Sequence, residues 1–347
     1  MKSPVSSTAQ LADLLGLSRC TVSRALNSHE AVSPKTAARV KEAADLHGFS
    51  PNILGRGLRS GKTNLIGICL PPIVEYALTQ KVSRMHHAIE ARGFHPVMQM
   101  TDGSKRGENA ALESFAAMRC AAVFMIASHL EATAAGMRSL EARKIPAVMI
   151  DPVYPTTHQW VSTDRAFAMG IALEHFHQLG HRQLVLMGFQ KAGAYSPQRI
   201  AGFQKGCKKL GWSFERDIVF MLHPLVEVSD FAAGFALAEE YLALPQAERI
   251  PAIFAINDNV ALGAIHYLKS KGIRIPEDIS IMGSDNAAFS SYVDPALTSL
   301  DFQPTQLIDN ALELLPATAM GHAPSQDPIS VCPQLVVRKS TAAPPAL

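Results

Sequence analysis

Apolar positions recur along this chain with two different periods. Between residues 63 and 290, short apolar runs (Leu65–Leu70, Ala121–Ala127, Ala147–Ile150, Gln183–Gly188, Ile218–Leu222, Ala252–Ile256 and Ile279–Met282) alternate with longer amphipathic stretches. Val82–Arg92, Ala166–Leu179, Gln198–Leu210 and Asn259–Lys271 carry the helical spacing, and Gly93, Gly180, Gly211 and Gly272 stand where such helices should end. The alternation predicts parallel sheets covered by helices on both faces. It falls into two series, so residues 63–347 are expected to form an α/β body of two parallel-sheet subdomains. The N-subdomain would take about 63–160 and 291–323, the C-subdomain about 163–290 and 324–340.

The first 48 residues have a helical period only. A helix at roughly Thr8–Leu15, with Leu11, Ala12, Leu14 and Leu15 as its apolar stripe, is ended by Gly16. Ser18 is a good N-cap for a second helix at about Arg19–Asn27. Ser33-Pro34 opens a third as cap and first-turn proline, and His47-Gly48 closes it. Val22, Ala25, Leu26, Val32, Val40, Ala44, Leu46 and Phe49 suffice for one small core. A helix, a glycine turn and a short basic helix make a helix-turn-helix, so an all-α headpiece is expected at 1–48, with a linker or hinge helix at 49–62. In such a unit the second helix enters the major groove of DNA. Val22, Ala25 and Leu26 face inward, leaving Arg19, Cys20, Ser23 and Arg24 outward. An arginine fork suits guanine, worth ~1–3 kcal/mol against the wrong base. Thr21, Ser23, Asn27, Ser33 and Thr36 offer donors for phosphate.

Charge supports that division. The chain of 347 residues has a net charge of +2, but residues 1–62 hold nine Lys/Arg against four acids, and the remainder 23 against 26. A basic head on a mildly acidic body implies that the head alone meets a polyanion. Five scattered cysteines without CxxC spacing argue against disulfides or zinc and for a reducing compartment. The start lacks the apolar core of a signal peptide, and no apolar run approaches the ~18 residues of a membrane span, so a cytoplasmic protein is expected. No GxSxG, HExxH or GxGxxG occurs. His86-His87 and His175-x-His177 do not share helix faces and are expected to be solvated or structural. Gly57–Thr63 is one residue short of a P-loop and precedes a strand instead of a helix. Neither an enzyme nor a cofactor is expected.

The residues LADLLGLSRCTVSRALN, VSPKTAARVKEAADLHGFSPN and LGRGLRSGKTNLIGI resemble the LacI/GalR family of transcription regulators, and the likeness continues through the chain. It implies that Arg19, Cys20 and Arg24 read bases, Cys20 being an unusual occupant of its position. Asn52, Leu58 and Arg59 would also touch DNA, Leu58 as a minor-groove wedge that unstacks a base step for a few kcal/mol. Gly55 and Gly57 would each weaken a hinge helix by up to ~1 kcal/mol, so it should form only on DNA. A plain flexible linker is the alternative.

For the body, the resemblance implies the architecture of periplasmic sugar-binding proteins, with a small-molecule effector between the lobes. Ligands of such folds sit at the C-terminal ends of strands. Asp151 follows PAVMI, Asn257 and Asp258 follow AIFAI, Asp285 follows ISIMGS, and Arg199 opens a helix. Arg199, Asn257 and Asp285 match effector positions of relatives, with Asp151 and Asp164 as weaker candidates. Asp258 and Asp285 could be a helix cap or turn former instead. Where relatives carry Asn-Pro-Phe-Phe, this chain has Glu75-Tyr76-Ala77-Leu78, so Tyr76 is the expected aromatic contact and Tyr195 a substitute for it. The expected function is a DNA-binding regulator, a repressor by preference, acting as a homodimer on a roughly palindromic operator and controlled by a sugar or sugar acid. The alternative is a cytoplasmic sugar-binding protein without operator-specific DNA binding.

Overall fold

The computed structural model describes residues 5, 7–26, 32–49, 63–73, 76–131, 134–154, 156, 158–193, 195–222, 230–319 and 329–345. The chain divides into two units, Met1–Asn64 and Leu65–Leu347.

The head holds α1 (Thr8–Leu15), α2 (Arg19–Leu26) and α3 (Pro34–Leu46). Each start is capped by a serine: Ser7, Ser18 and Ser33 Oγ accept from Gln10, Thr21 and Thr36 N–H at 3.2, 3.0 and 3.2 Å. Gly16, at φ 63°, ends α1 in the left-handed region that favours glycine. Leu11, Ala12, Val22, Ala25, Val40, Ala44 and Phe49 form the buried core. Leu46, expected there, is 71% exposed, and Leu14 looks out as well. Each follows a buried alanine (Ala44, Ala12) by two residues, which places it about 200° round the helix from that alanine.

The body contains two six-stranded sheets. The first has the order β11-β5-β4-β3-β1-β2 and is parallel throughout. Its strands are β1 (Leu65–Leu70), β2 (His95–Met100), β3 (Ala122–Ile126), β4 (Ala147–Ile150), β5 (Gln159–Thr163) and β11 (Ile329–Val331). The second has the order β12-β10-β9-β8-β6-β7, parallel except where β12 (Gln334–Val336) runs against β10 (Thr298–Asp301). Its other members are β6 (Leu184–Met187), β7 (Ile218–Met221), β8 (Ala252–Ala255) and β9 (Ser280–Ser284). Each sheet defines one lobe, and the chain passes between lobes after β5, after β10 and between β11 and β12. The crossings depart from the expected 291 and 324. β10 is still in the second lobe, and β11 is in the first. The segment TSLD is polar except for Leu300 and carries no apolar run, although three of its residues are buried.

Both sheets are sandwiched. In the first lobe, Ile66, Ile68 and Leu70 pack against Met85 and Ile89 of helix Tyr76–Ala91 and against Leu307, Ile308 and Leu312 of helix Pro304–Ala319. On its opposite face a Cβ at Gly67 would lie 2.7 Å from the Phe115 ring, so glycine is required there. In the second lobe, helices Phe231–Ala243 and Asp258–Ser270 meet backbone to backbone at Gly234 and Gly263. No described helix is long and apolar enough to cross a membrane.

Candidate functional site

In the head, the pattern of α2 divides its two faces. Val22 and Ala25 are buried against α1 and α3, while Arg19, Cys20 and Arg24 are exposed and Thr21 and Ser23 half-buried. The hydroxyls of Thr21 and Thr36 lie 2.9 Å from those of the capping serines Ser18 and Ser33. These threonines therefore order helix N-termini, whose N–H groups are themselves anion-binding elements. Arg39 donates to the Leu15 carbonyl at 2.9 Å and pins α3 to the end of α1. Asn27, Asn52, Leu58 and Arg59 lie outside the described residues.

In the body, a cavity of about 300 Å³ opens between the lobes at the C-terminal strand ends. Asp151, Arg199 and Asp285 line it, as does Tyr195; Ala77 and Leu78 take the place of the expected aromatic wall. Tyr76 is not among the lining residues. Its hydroxyl accepts from Ala288 N–H of the second lobe at 3.2 Å, and its ring meets Phe289 edge-on, so it joins the lobes. Asn257 is buried as the N-cap of helix Asp258–Ser270, accepting from Val260 N–H at 2.9 Å, and is also absent from the lining. Asp164 caps helix Arg165–Gln178 through Phe167 N–H. Asp258 accepts from Ser290, Ser299 and Ala287 at 2.6–2.7 Å and anchors the loop that carries Asp285; burial pushes its carboxyl up to about 6.

Two cations absent from the sequence-derived set complete the cleft. Lys81 Nζ donates to Asp151 Oδ2 at 2.6 Å and Arg165 to Oδ1 at 3.0 Å, with Thr163 N–H on Oδ1 at 2.9 Å. Burial alone would push the Asp151 carboxyl up, but Arg165 and then Lys81 hold it well below the usual carboxylate range. Burial likewise opposes the charge of Arg165, and Asp151 more than restores it. The guanidinium also stands 3.8 Å from the Tyr195 ring centre, while Tyr195 Oη donates to the Asp151 carbonyl at 2.7 Å. Lys81 and Asp151 belong to the first lobe, Arg165 and Tyr195 to the second. The cleft is thus bridged by an ionic and aromatic contact across the lobe boundary. Such a site can bind a small polar molecule. The described residues supply no nucleophile–base pair within it.

A helix-turn-helix head and a two-lobed α/β body with a polar cleft define the class of ligand-responsive DNA-binding regulators. Residues 9–52 match the model described as bacterial regulatory proteins, lacI family, and residues 173–341 that of the periplasmic binding protein-like domain. The chain is 27% identical over 337 residues to the HTH-type transcriptional repressor PurR of Mannheimia succiniciproducens, covering 95% of this chain and 97% of that one. Its Vibrio cholerae counterpart is 26% identical over 307 residues, 88% and 89% of the two chains. Among solved structures, the lac repressor dimer bound to operator and the anti-inducer ONPF superposes with a TM-score of 0.81 at 24% identity, covering 98% of this chain and all of that one. The transcriptional regulator CelR in complex with cellobiose gives 0.66 at 22% identity, covering 96% and 99%. The chain thus combines a head of the lacI family of bacterial regulatory proteins with a periplasmic binding protein-like domain, and it is similar over nearly its whole length to PurR repressors.

Proposed function

We propose that the protein is a cytoplasmic repressor without enzymatic activity, binding a roughly palindromic operator as a homodimer and tuned by a sugar or sugar acid held between its lobes. The reading is carried by one pairing within the chain: a folded reader whose second helix exposes Arg19 and Arg24, joined to a body whose inter-lobe cavity is ringed by fixed polar groups. Arg19, Cys20 and Arg24 face the bases; Thr21, Ser23, Ser33 and Thr36 support phosphate contacts. Met98, Met100, Phe231 and Phe235 are large apolar side chains left exposed on the body, consistent with a surface covered by a second copy. The effector acts insofar as it binds two lobe arrangements unequally, since equal affinity shifts nothing.

The test is a salt titration of binding to the promoter-proximal DNA of the protein's own operon, read by fluorescence anisotropy with a scrambled duplex as control. Specific affinity should fall steeply as salt rises, at about 0.9 log unit per log unit of salt for each phosphate neutralised. Equal affinity for both duplexes at low salt, with and without sugars and sugar acids, would overturn the reading in favour of a binding protein that ignores DNA.

A further inference from the structure

Five of the described residues lining the inter-lobe cavity are charged: Lys81, Arg165 and Arg199 against Asp151 and Asp285. Among the described lining residues one positive charge is therefore in surplus, in a space otherwise walled by side chains such as Leu78, Ile126, Ile256 and Phe302. Buried charge is costly unless paired. The single carboxylate of Asp151 pairs with both Lys81 and Arg165, and Asp285 is near enough to act on Arg165 as well. Neither cation is free to reach bulk water: their side chains are 12% and 10% exposed. They also come from opposite lobes, Lys81 from helix Tyr76–Ala91 and Arg165 from the first turn of helix Arg165–Gln178.

We propose that the cavity takes a small hydroxylated carboxylic acid in preference to a neutral sugar, its carboxylate supplying the missing countercharge between Lys81 and Arg165. This deepens the regulator reading above and rests on it. A carboxylate carries one negative charge and brings the charges of the described lining residues to neutrality. A phosphate monoester, at about −1.5 to −2 near neutral pH, would overshoot and leave buried negative charge. The cavity of about 300 Å³ is within the size range of small-molecule pockets and admits an acid of hexose size. Gln190, Ser196 and Asp285 on the second-lobe side offer donors and acceptors for hydroxyl groups. Because the two cations belong to different lobes, a carboxylate held by both also ties the lobes together. A neutral sugar would do so only through weaker bonds.

The experiment is calorimetric titration of the full-length protein with matched probes. D-gluconate, D-galactonate, D-glucuronate and D-galacturonate are compared with D-glucose, D-galactose and glucose 6-phosphate. At least one acid should bind ten or more times tighter than its parent sugar and than the phosphate. Lys81→Met should weaken that acid at least tenfold, and Lys81→Arg should restore it to within a few-fold. Asp151→Asn keeps the side-chain shape but adds a second surplus charge, so acid binding should tighten. If Asp151 instead held ligand hydroxyls, this substitution would weaken binding. A preference for a neutral sugar or for the phosphate, no acid binding at millimolar concentration, or indifference to Lys81→Met would each overturn the proposal. Wild-type protein that prefers a neutral sugar yet still binds operator DNA refutes the acid alone. Protein that binds the acid but never DNA refutes the regulator reading.

Discussion

Arg165→Met tests whether the bridge across the cleft holds the body together. The substitution keeps most of the side-chain length and removes the guanidinium, leaving Asp151 with Lys81 and the Thr163 N–H. Removing one partner from a buried ion pair costs about 3–5 kcal/mol, because a desolvated charge loses its compensation. Here the Asp151 side chain is 2% exposed but keeps a second cation, which places the cost near about 3 kcal/mol. Loss of the stack on Tyr195 adds to this, and new apolar contacts of the methionine offset part of it. For a body of this size 3 kcal/mol corresponds to a fall in Tm of roughly 6–12 °C. Both tryptophans, Trp160 and Trp212, lie in the body, so fluorescence-detected urea unfolding of the full chain reports on it without interference from the head. The pH dependence supplies the sharper criterion. Asp151 titrates below its ordinary value of 3.8 in the folded state, so its stabilisation is present above about pH 4 and lost as pH falls further. The gap between wild type and variant should be constant from pH 7 to 5 and narrow below 4. A gap under about 1 kcal/mol at pH 7 would refute the bridge as a stabilising element.

Three further outcomes are expected. Arg24→Ala should cost the specific operator complex about 1–3 kcal/mol and leave effector binding untouched, and an equal loss on scrambled DNA would assign Arg24 to phosphate instead of a base. Gly263→Ala places a Cβ 2.0 Å from the Phe231 carbonyl oxygen, a backbone atom that cannot step aside, so it should destabilise the body by about 3 kcal/mol or more in urea unfolding; a neutral result would mean that the two helices can separate at little cost. Burial lowers the His181 pKa while its Nε2 meets the Ala342 carbonyl at 3.0 Å, so the neutral ring's contribution is present above pH 6.5 and lost as pH falls through the lowered folded value. The stability slope between pH 6.5 and 5 should accordingly be flatter in His181→Gln, and an unchanged slope would assign the acid sensitivity to other groups such as His175.

What was legible in the sequence follows from how much of each signal is local. Serine caps, Ser33-Pro34 and Gly16 act within one helical turn, and the three head helices came out at those places. Strands buried on both faces show themselves as apolar runs, which is why β1, β3, β4, β6, β8 and β9 were readable. The edge strand β2 has only exposed and half-buried residues, without regular alternation, and β5, β10, β11 and β12 are short and partly polar, so periodicity does not mark them. Missing β10 and β11 shifted the expected lobe crossings. The same limit governs the site. Asp151, Arg199 and Asp285 sit at strand ends or helix starts, where position alone suggests a ligand. Lys81 is a cation within a helix, which reads as a solvated face, and Arg165 follows β5, whose sequence QWVST has no apolar run to mark it as a strand. Asn257 and Tyr76 show the converse: a strand-end amide is also the natural cap of the next helix, and an aromatic beside a cleft can close it without lining it.

The backbone points to the same place by an independent route. Among the described residues, eight non-glycine positions have positive φ, and four of them, Ala127, Asp151, Tyr195 and Asp285, line the cavity. Each such position costs of order 1–3 kcal/mol and persists only where surrounding structure enforces it. For Asp151 the enforcing contacts are the bonds to Lys81, Arg165 and Thr163, with Tyr195 holding its carbonyl. The strained Asp151 backbone and the ion pairs of the cleft therefore share one set of side chains. An anion between Lys81 and Arg165 would draw on the bonds that hold Asp151 at φ 51°, and through Tyr195 it would reach the start of helix Ser196–Leu210, which carries Arg199. Such an anion would give the second lobe a physical means of responding to ligand charge, and on that proposal Tyr195→Phe, which removes only the hydroxyl, should loosen the coupling between lobes while leaving the charge of the cavity intact. The variant should bind an acidic probe with near wild-type affinity but transmit a smaller change to operator binding. Equal loss in both would mean that Tyr195 contacts the ligand directly.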